Sequence, residues 1–183
     1  CVVSKLFDKI CRDVNIRVDF FFIDQYYFSR CIDFISRHFN VIKIRLPPSI
    51  VTKPSLVDYA SSKLKNLESL TIHCNNRFLK KDLEIFFKFQ NIKELSIYSC
   101  RVSADGFENL YKLKNLKIFK VRSSLFIDYD KLTNYPENLK ELSLIGPSTL
   151  MVNDFSKMSK LVKIDFSASE TFIIVRRLQE NVL

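Results

Sequence analysis

The side chains best suited to acid–base or nucleophilic chemistry are two histidines, His38 and His73, and five cysteines, Cys1, Cys11, Cys31, Cys74 and Cys100. His73 directly precedes Cys74, and an imidazole within reach of a thiol is the pairing that makes a thiolate nucleophile. Adjacent residues of a strand point to opposite faces, so a strand through this stretch holds the two apart. The cysteines are odd in number, widely spaced and without a CxxC, which argues against a disulfide framework and against zinc. The carboxylates are scattered rather than gathered as cation ligands. Only two glycines occur, and neither a Walker loop nor a GxGxxG turn is present. Those motifs need several glycines, because their backbone takes positive φ and closely approaches phosphates. The expectation is a non-enzymatic chain with no catalytic residues, no cofactor and no metal.

The elements around these residues are periodic. Ile92, Leu95 and Ile97 followed by Cys100 set a template of apolar residues at i, i+3 and i+5. The same template fits Leu67-Leu70-Ile72 with Asn75, Leu116-Phe119-Val121 with Ser124, Leu139-Leu142-Leu144 with Pro147, and Leu161-Ile164-Phe166 with Ser169. The starts at 67, 92, 116, 139 and 161 lie 25, 24, 23 and 22 residues apart, and Asn66, Asn91, Asn115 and Asn138 each precede one. Two weaker copies, Cys11-Val14-Ile16 and Phe39-Ile42-Ile44, lie upstream at gaps of 28. A fixed period of this length marks a stacked array, in which each unit buries its apolar face only against its neighbours.

LxxLxLxx(N/C) at this period resembles the leucine-rich repeat, as in "LKNLESLTIHCN" and "NIKELSIYSC". "CRVSADGFENL", with Asp105, Gly106, Phe107 and Leu110, resembles the cysteine-containing subtype found in F-box proteins, though no F-box occurs in this chain. The resemblance implies an α/β leucine-rich-repeat solenoid of about six or seven units. It has a curved parallel sheet on the concave side and helices on the convex side. It also implies that Asn75 and Cys100 are turn fillers bonded to neighbouring backbone. Residues 1–183 then form one solenoid domain, with 1–10 the helix of a preceding or capping unit and the array a fragment of a longer one. Apolar spacing places helices near residues 25–38, 55–64, 79–88 and 104–113. The aromatic run at residues 19–28, "DFFFIDQYYF", is expected to pack into the core, and "RLPPS" at 45–49 to break the chain after a strand.

Function then falls to the side chains between the buried leucines. The predicted rows are Asp13, Asn15, Arg17; Val41, Lys43, Arg45; Ser69, Thr71, His73; Glu94, Ser96, Tyr98; Ile118, Lys120, Arg122; Glu141, Ser143, Ile145; and Lys163, Asp165, Ser167. Arg and Tyr are frequent interface anchors. The predicted protein-binding residues are Arg17, Lys43, Arg45, His73, Tyr98, Lys120 and Arg122, forming a basic, aromatic-bearing strip.

The net charge of +9 is spread along the chain without a basic tail, which suits an acidic protein partner better than a nucleic acid. No apolar stretch reaches the length of a membrane span. The cysteine pattern and the absence of an Asn-x-Ser/Thr sequon point to the cytoplasm or nucleus. By the F-box resemblance the chain is expected to hold the target of a ubiquitin ligase adaptor, with cullin ligase components bound through a region outside it. The alternatives are a scaffold or sensor region of an intracellular receptor or GTPase regulator, and, more remotely, a nucleic-acid-binding solenoid.

Overall fold

The computed structural model describes residues 14–20, 23–73, 77–78, 84–98, 101–102, 109–122, 135–146, 151–152, 158–165 and 174–175. Its main sheet has seven strands: β1 (Asn15–Asp19), β2 (Asn40–Leu46), β3 (Ser69–His73), β4 (Glu94–Tyr98), β5 (Ile118–Arg122), β6 (Glu141–Ile145) and β7 (Lys163–Asp165). They lie side by side in chain order, and every neighbouring pair is parallel. Between β1 and β2 runs α1 (Gln25–His38), and between β2 and β3 run α2 (Pro48–Val51) and α3 (Pro54–Lys63). Further on, the described connections hold 3-10 turns at Ile85–Lys88, directly after a helical Glu84, and at Leu110–Lys112. Two-residue parallel pairings join Arg77–Phe78 to Arg101–Val102 and Met151–Val152 to Ile174–Val175.

Local chemistry accounts for the helices. Asp24 caps α1 by accepting the Tyr26 amide at 2.7 Å, which satisfies a donor the first turn would otherwise leave open. Phe28 and Ile32, four apart, are the face of α1 that is fully buried. Pro48 and Pro54 start α2 and α3 at a position where a missing N–H costs nothing. Thus "RLPPS" does end β2, and its second proline begins a helix. The core is continuous: Ile44, Leu70, Leu95, Phe119 and Leu142 form one buried column, and Leu46, Ile72, Ile97, Val121 and Leu144 the next. Within the aromatic run, Phe28 is buried and meets Phe20 edge-on at 5.4 Å. Tyr26 and Tyr27 instead lie in solvent at 62% and 58% exposure, so only part of that run is core.

A second repeating device sits where each strand begins. The amides of Leu67, Ile92, Leu116, Leu139 and Leu161 each donate to the carbonyl three residues back, at Leu64, Phe89, Leu113, Pro136 and Met158. The residue before each of those amides bonds across to the preceding unit. Asn91, Asn115 and Asn138 donate from Nδ2 to the carbonyls of Lys65, Gln90 and Lys114 at 2.7, 3.1 and 2.8 Å. Asn66 reaches Asn40, Asn40 reaches Asn15, and Lys160 bonds Asn138 Oδ1. A ladder of side-chain hydrogen bonds, from asparagine in six units and Lys160 in the seventh, therefore spans all seven strands.

Just after it, two successive amides share one carbonyl: Lys93 and Glu94 on Glu68, Lys117 and Ile118 on Lys93, Lys140 and Glu141 on Lys117. This bulge-like step rotates the chain, so apolar residues three apart both face inward. Together the in-order parallel sheet, the shared core columns and the unit-by-unit turn make the architecture an α/β leucine-rich-repeat solenoid.

Two expectations need correction. β2 is framed by Val41, Ile44 and Leu46, since Ile44 pairs with Leu70 and Leu46 with Ile72. The second unit therefore starts at 41 rather than 39. Phe39-Ile42-Ile44 and Val41-Ile44-Leu46 both fit the template; α1 decides between them, because its C-cap is Phe39. In the first unit Val14 is 48% exposed, and Ile16, Val18 and Phe20 pack on the core instead. β1 alternates without the shared-carbonyl step, as its register shift against β2 shows. Of the helices expected near 79–88 and 104–113, the described residues hold a helical Glu84 and the 3-10 turns just named; the rest of both spans lies outside the described residues, as do residues 1–10, Cys74, Asn75 and Cys100.

Candidate functional site

Parallel sheets are ordinarily covered on both faces. Here one face carries the core, while the other presents Arg17, Lys43, Arg45, Glu94, Lys120, Arg122 and Lys163, all exposed or half-exposed. Three in-register columns cross this open face. The first reads Arg17, Lys43, Ser69, Glu94, Ile118, Glu141, Lys163, and the second Asp19, Arg45, Thr71, Ser96, Lys120, Ser143, Asp165. The third reads His73, Tyr98, Arg122, Ile145.

The predicted strip is thereby broken up. His73, Tyr98 and Arg122 do stand side by side on β3, β4 and β5. Arg45 pairs with Thr71 and so joins Lys120 in the second column; Arg17 pairs with Lys43 in the first. Shifting β2 by two residues keeps every side chain on its face but moves it one column along, because a strand's side chains repeat every second residue.

Most charges on this face are matched within it. Glu94, 22% exposed, lies 3.2 Å from Lys43 Nζ and 3.6 Å from Lys120 Nζ, and it accepts a hydrogen bond from Ser69 Oγ at 2.8 Å. Burial pushes the Glu94 carboxyl up. The hydrogen bonds from Ser69 and Lys43, with the charges of Lys43 and Lys120, outweigh it and hold the carboxyl below the ordinary glutamate value. Asp19 stands between Arg17 at 3.2 Å and Arg45 at 3.8 Å. Glu141 is 3.9 Å from Lys163, and Asp165 accepts from Ser143 at 3.2 Å. The small residues Ser69, Thr71 and Ser96 sink below 10% exposure between these long side chains.

The His73 and Tyr98 rings stack at 5.1 Å and 18°. Burial lowers the His73 pKa from its ordinary 6.5, and the nearby Arg45 charge lowers it further, against the opposing pull of Asp19. A mostly neutral imidazole on a tyrosine, flanked by Arg122, is a flat surface suited to stacking and hydrogen bonding.

Among the described residues no three His, Cys, Asp or Glu side chains gather as metal ligands. Cys31 is a half-buried free thiol on α1, and Cys74 of the His73–Cys74 pair lies outside the described residues. None of the described helices is long and apolar enough to cross a membrane. The sequence shows Asn66, Asn91, Asn115 and Asn138 at a constant position before four repeat starts, which marks the repeat but not the bonds they make between units.

No family model matches the chain, and no curated protein matches it. Among solved structures it is similar to the leucine-rich-repeat ectodomain of the receptor kinase SOBIR1 from Arabidopsis thaliana. The identity is 18% and the TM-score 0.39, and the match covers 60% of this chain and 60% of that one.

Proposed function

We propose that the chain is a non-enzymatic protein-interaction module whose partner lies on the open sheet face, centred on His73, Tyr98 and Arg122. The observation that carries the reading is the uncovered face of a parallel sheet, with an aromatic stack and an arginine in adjacent units. A bound partner supplies the second layer that such a sheet otherwise has. Pairing of most charges within the face means that recognition rests on stacking and shape more than on net charge. Lys43, Lys120 and Arg45 serve mainly to hold Glu94 and Asp19.

The F-box resemblance extends the proposal to the target-holding part of a ubiquitin ligase adaptor in the cytosol or nucleus, joined to cullin ligase components through a region outside residues 1–183. That extension rests on the sequence motif alone, and a full-length gene without an F-box removes it. The binding face is tested by proximity labelling in cells, comparing the wild type with a His73→Ala, Tyr98→Ala, Arg122→Ala variant of unchanged circular dichroism. Loss of the recovered partners is expected, since central aromatic and arginine anchors each contribute about 2 kcal/mol or more when truncated. Recovery of every partner at wild-type levels refutes the open face as the binding surface.

A further inference from the structure

The excess positive charge of the chain is concentrated on one edge of the sheet. The turn segments entering β3 to β7, residues 63–68, 88–93, 112–117, 135–140 and 158–162, hold Lys63, Lys65, Lys88, Lys93, Lys112, Lys114, Lys117, Lys140 and Lys160 against only Glu68 and Glu137. These are nine of the 29 basic and two of the 20 acidic residues, leaving 20 and 18 for everything else. The net +9 is thus mostly a property of this rim.

The backbone stacks its lysines directly. Lys117 N donates to Lys93 O and Lys140 N to Lys117 O, both at 2.8 Å, so the three stand in one column on neighbouring units. Neighbouring strands lie about 4.8 Å apart, and like charges placed opposite one another destabilise a sheet. Lys93 is relieved by Glu68 from the unit before, and Lys63 and Lys88 by Asp33 and Asp58. Among the described residues no carboxylate lies within ion-pair reach of Lys65, Lys112, Lys114, Lys117 or Lys140, all of them exposed. The open face on the same strands alternates its signs and neutralises itself. Solubility is served by interspersed signs, so a repelling column needs a further reason.

A hollow of about 290 Å³ opens on this rim, lined by Tyr111, Lys114, Tyr135, Glu137 and Asn138. Its two aromatic rings give it a place for one apolar side chain.

We infer that the lysine rim is a second docking surface, for an acidic polypeptide segment that places an apolar side chain in the Tyr111–Tyr135 hollow. The inference rests on the protein-binding reading above but uses a different surface. A protein segment fits better than a nucleic acid because the cations of these turns are lysines without arginine. Point charges on flexible stems supply attraction without the bidentate fork that reads phosphates. Among the described residues the rim exposes one large aromatic, Tyr111, and successive bases would need a row of them.

The test uses the whole chain and a labelled decapeptide of Glu and Asp with one central Phe. Lys114→Gln, Lys117→Gln and Lys140→Gln together weaken binding about tenfold, as three partly exposed pairs do, and flatten its salt dependence. The open-face variant His73→Ala, Tyr98→Ala, Arg122→Ala binds the peptide as the wild type does, so loss of one surface is read apart from loss of the other. Replacing the central Phe with Gly weakens binding again. Peptide affinity unchanged in the rim variant overturns the inference. So does an adenosine 12-mer RNA, or a phosphatidylserine vesicle, that binds the rim more tightly than the peptide.

Discussion

Glu94→Gln is the most informative single change on the open face. It keeps the shape of the side chain and removes the charge that two lysines share. The lost ion pairs, at 3.2 and 3.6 Å, contribute about 0.2–1 kcal/mol each at partial exposure. The Ser69 hydrogen bond falls from charge-assisted to neutral, a further loss of about 0.5–1 kcal/mol. The expected destabilisation is about 1–3 kcal/mol at pH 7, or a melting temperature lower by about 3–9 °C for a domain of this size. It is read by urea and thermal unfolding of both proteins.

The pH dependence has a definite sign. A carboxyl held below its ordinary 4.5 contributes stability that is fully present above that value and is lost as pH falls through the folded-state value. The gap between wild type and Glu94→Gln is therefore constant from pH 7 to about pH 5.5 and closes on further acidification. Combined with Ser69→Ala, the two changes cost less than the sum of each alone, because they share one hydrogen bond. A gap below about 0.3 kcal/mol at neutral pH, or one that does not shrink in acid, refutes the view of Glu94 as the hub of this face.

Three further outcomes follow from the same geometry. By NMR, His73 titrates below 6.5; Arg45→Gln raises its midpoint and Asp19→Asn lowers it, and a midpoint unmoved by either change breaks that assignment. The depressed value also means that His73 adds stability as pH rises from its folded-state pKa toward 6.5. Leu46→Ala, at 0% exposure, costs about 2–5 kcal/mol in denaturant unfolding, whereas Ile42→Ala costs much less. The reverse ranking restores the frame that begins at 39. Asn115→Ala removes one rung of the ladder to Gln90 and costs about 0.5–1 kcal/mol; a neutral result shows that water replaces the rung.

Much of the fold was legible because a repeat writes its period into the chain. Leu67, Ile92, Leu116, Leu139 and Leu161 are the starts read from sequence, and each is buried and closes the same turn in the structure. Column partners from β3 to β6 follow from those starts without further information, and so do the neighbours His73, Tyr98, Arg122 and Ile145.

What the chain could not settle alone is where two frames compete or where a contact joins distant residues. Phe39-Ile42-Ile44 and Val41-Ile44-Leu46 obey one pattern equally well. Only the end of α1 at Phe39 and the burial of Leu46 choose between them, and that choice moves Arg45 away from His73's column and beside Thr71. Burial of Tyr26 or Phe28 depends on which side of α1 meets α3, a packing fact with no local signature. Likewise the lysines of the rim are dispersed in sequence at intervals near the repeat length. They become one charged surface only when stacking brings residues 23 or 24 positions apart to hydrogen-bonded neighbours. Composition fixes the total charge; the superposition of units decides that the open face pairs most of its charges and the rim accumulates most of the excess.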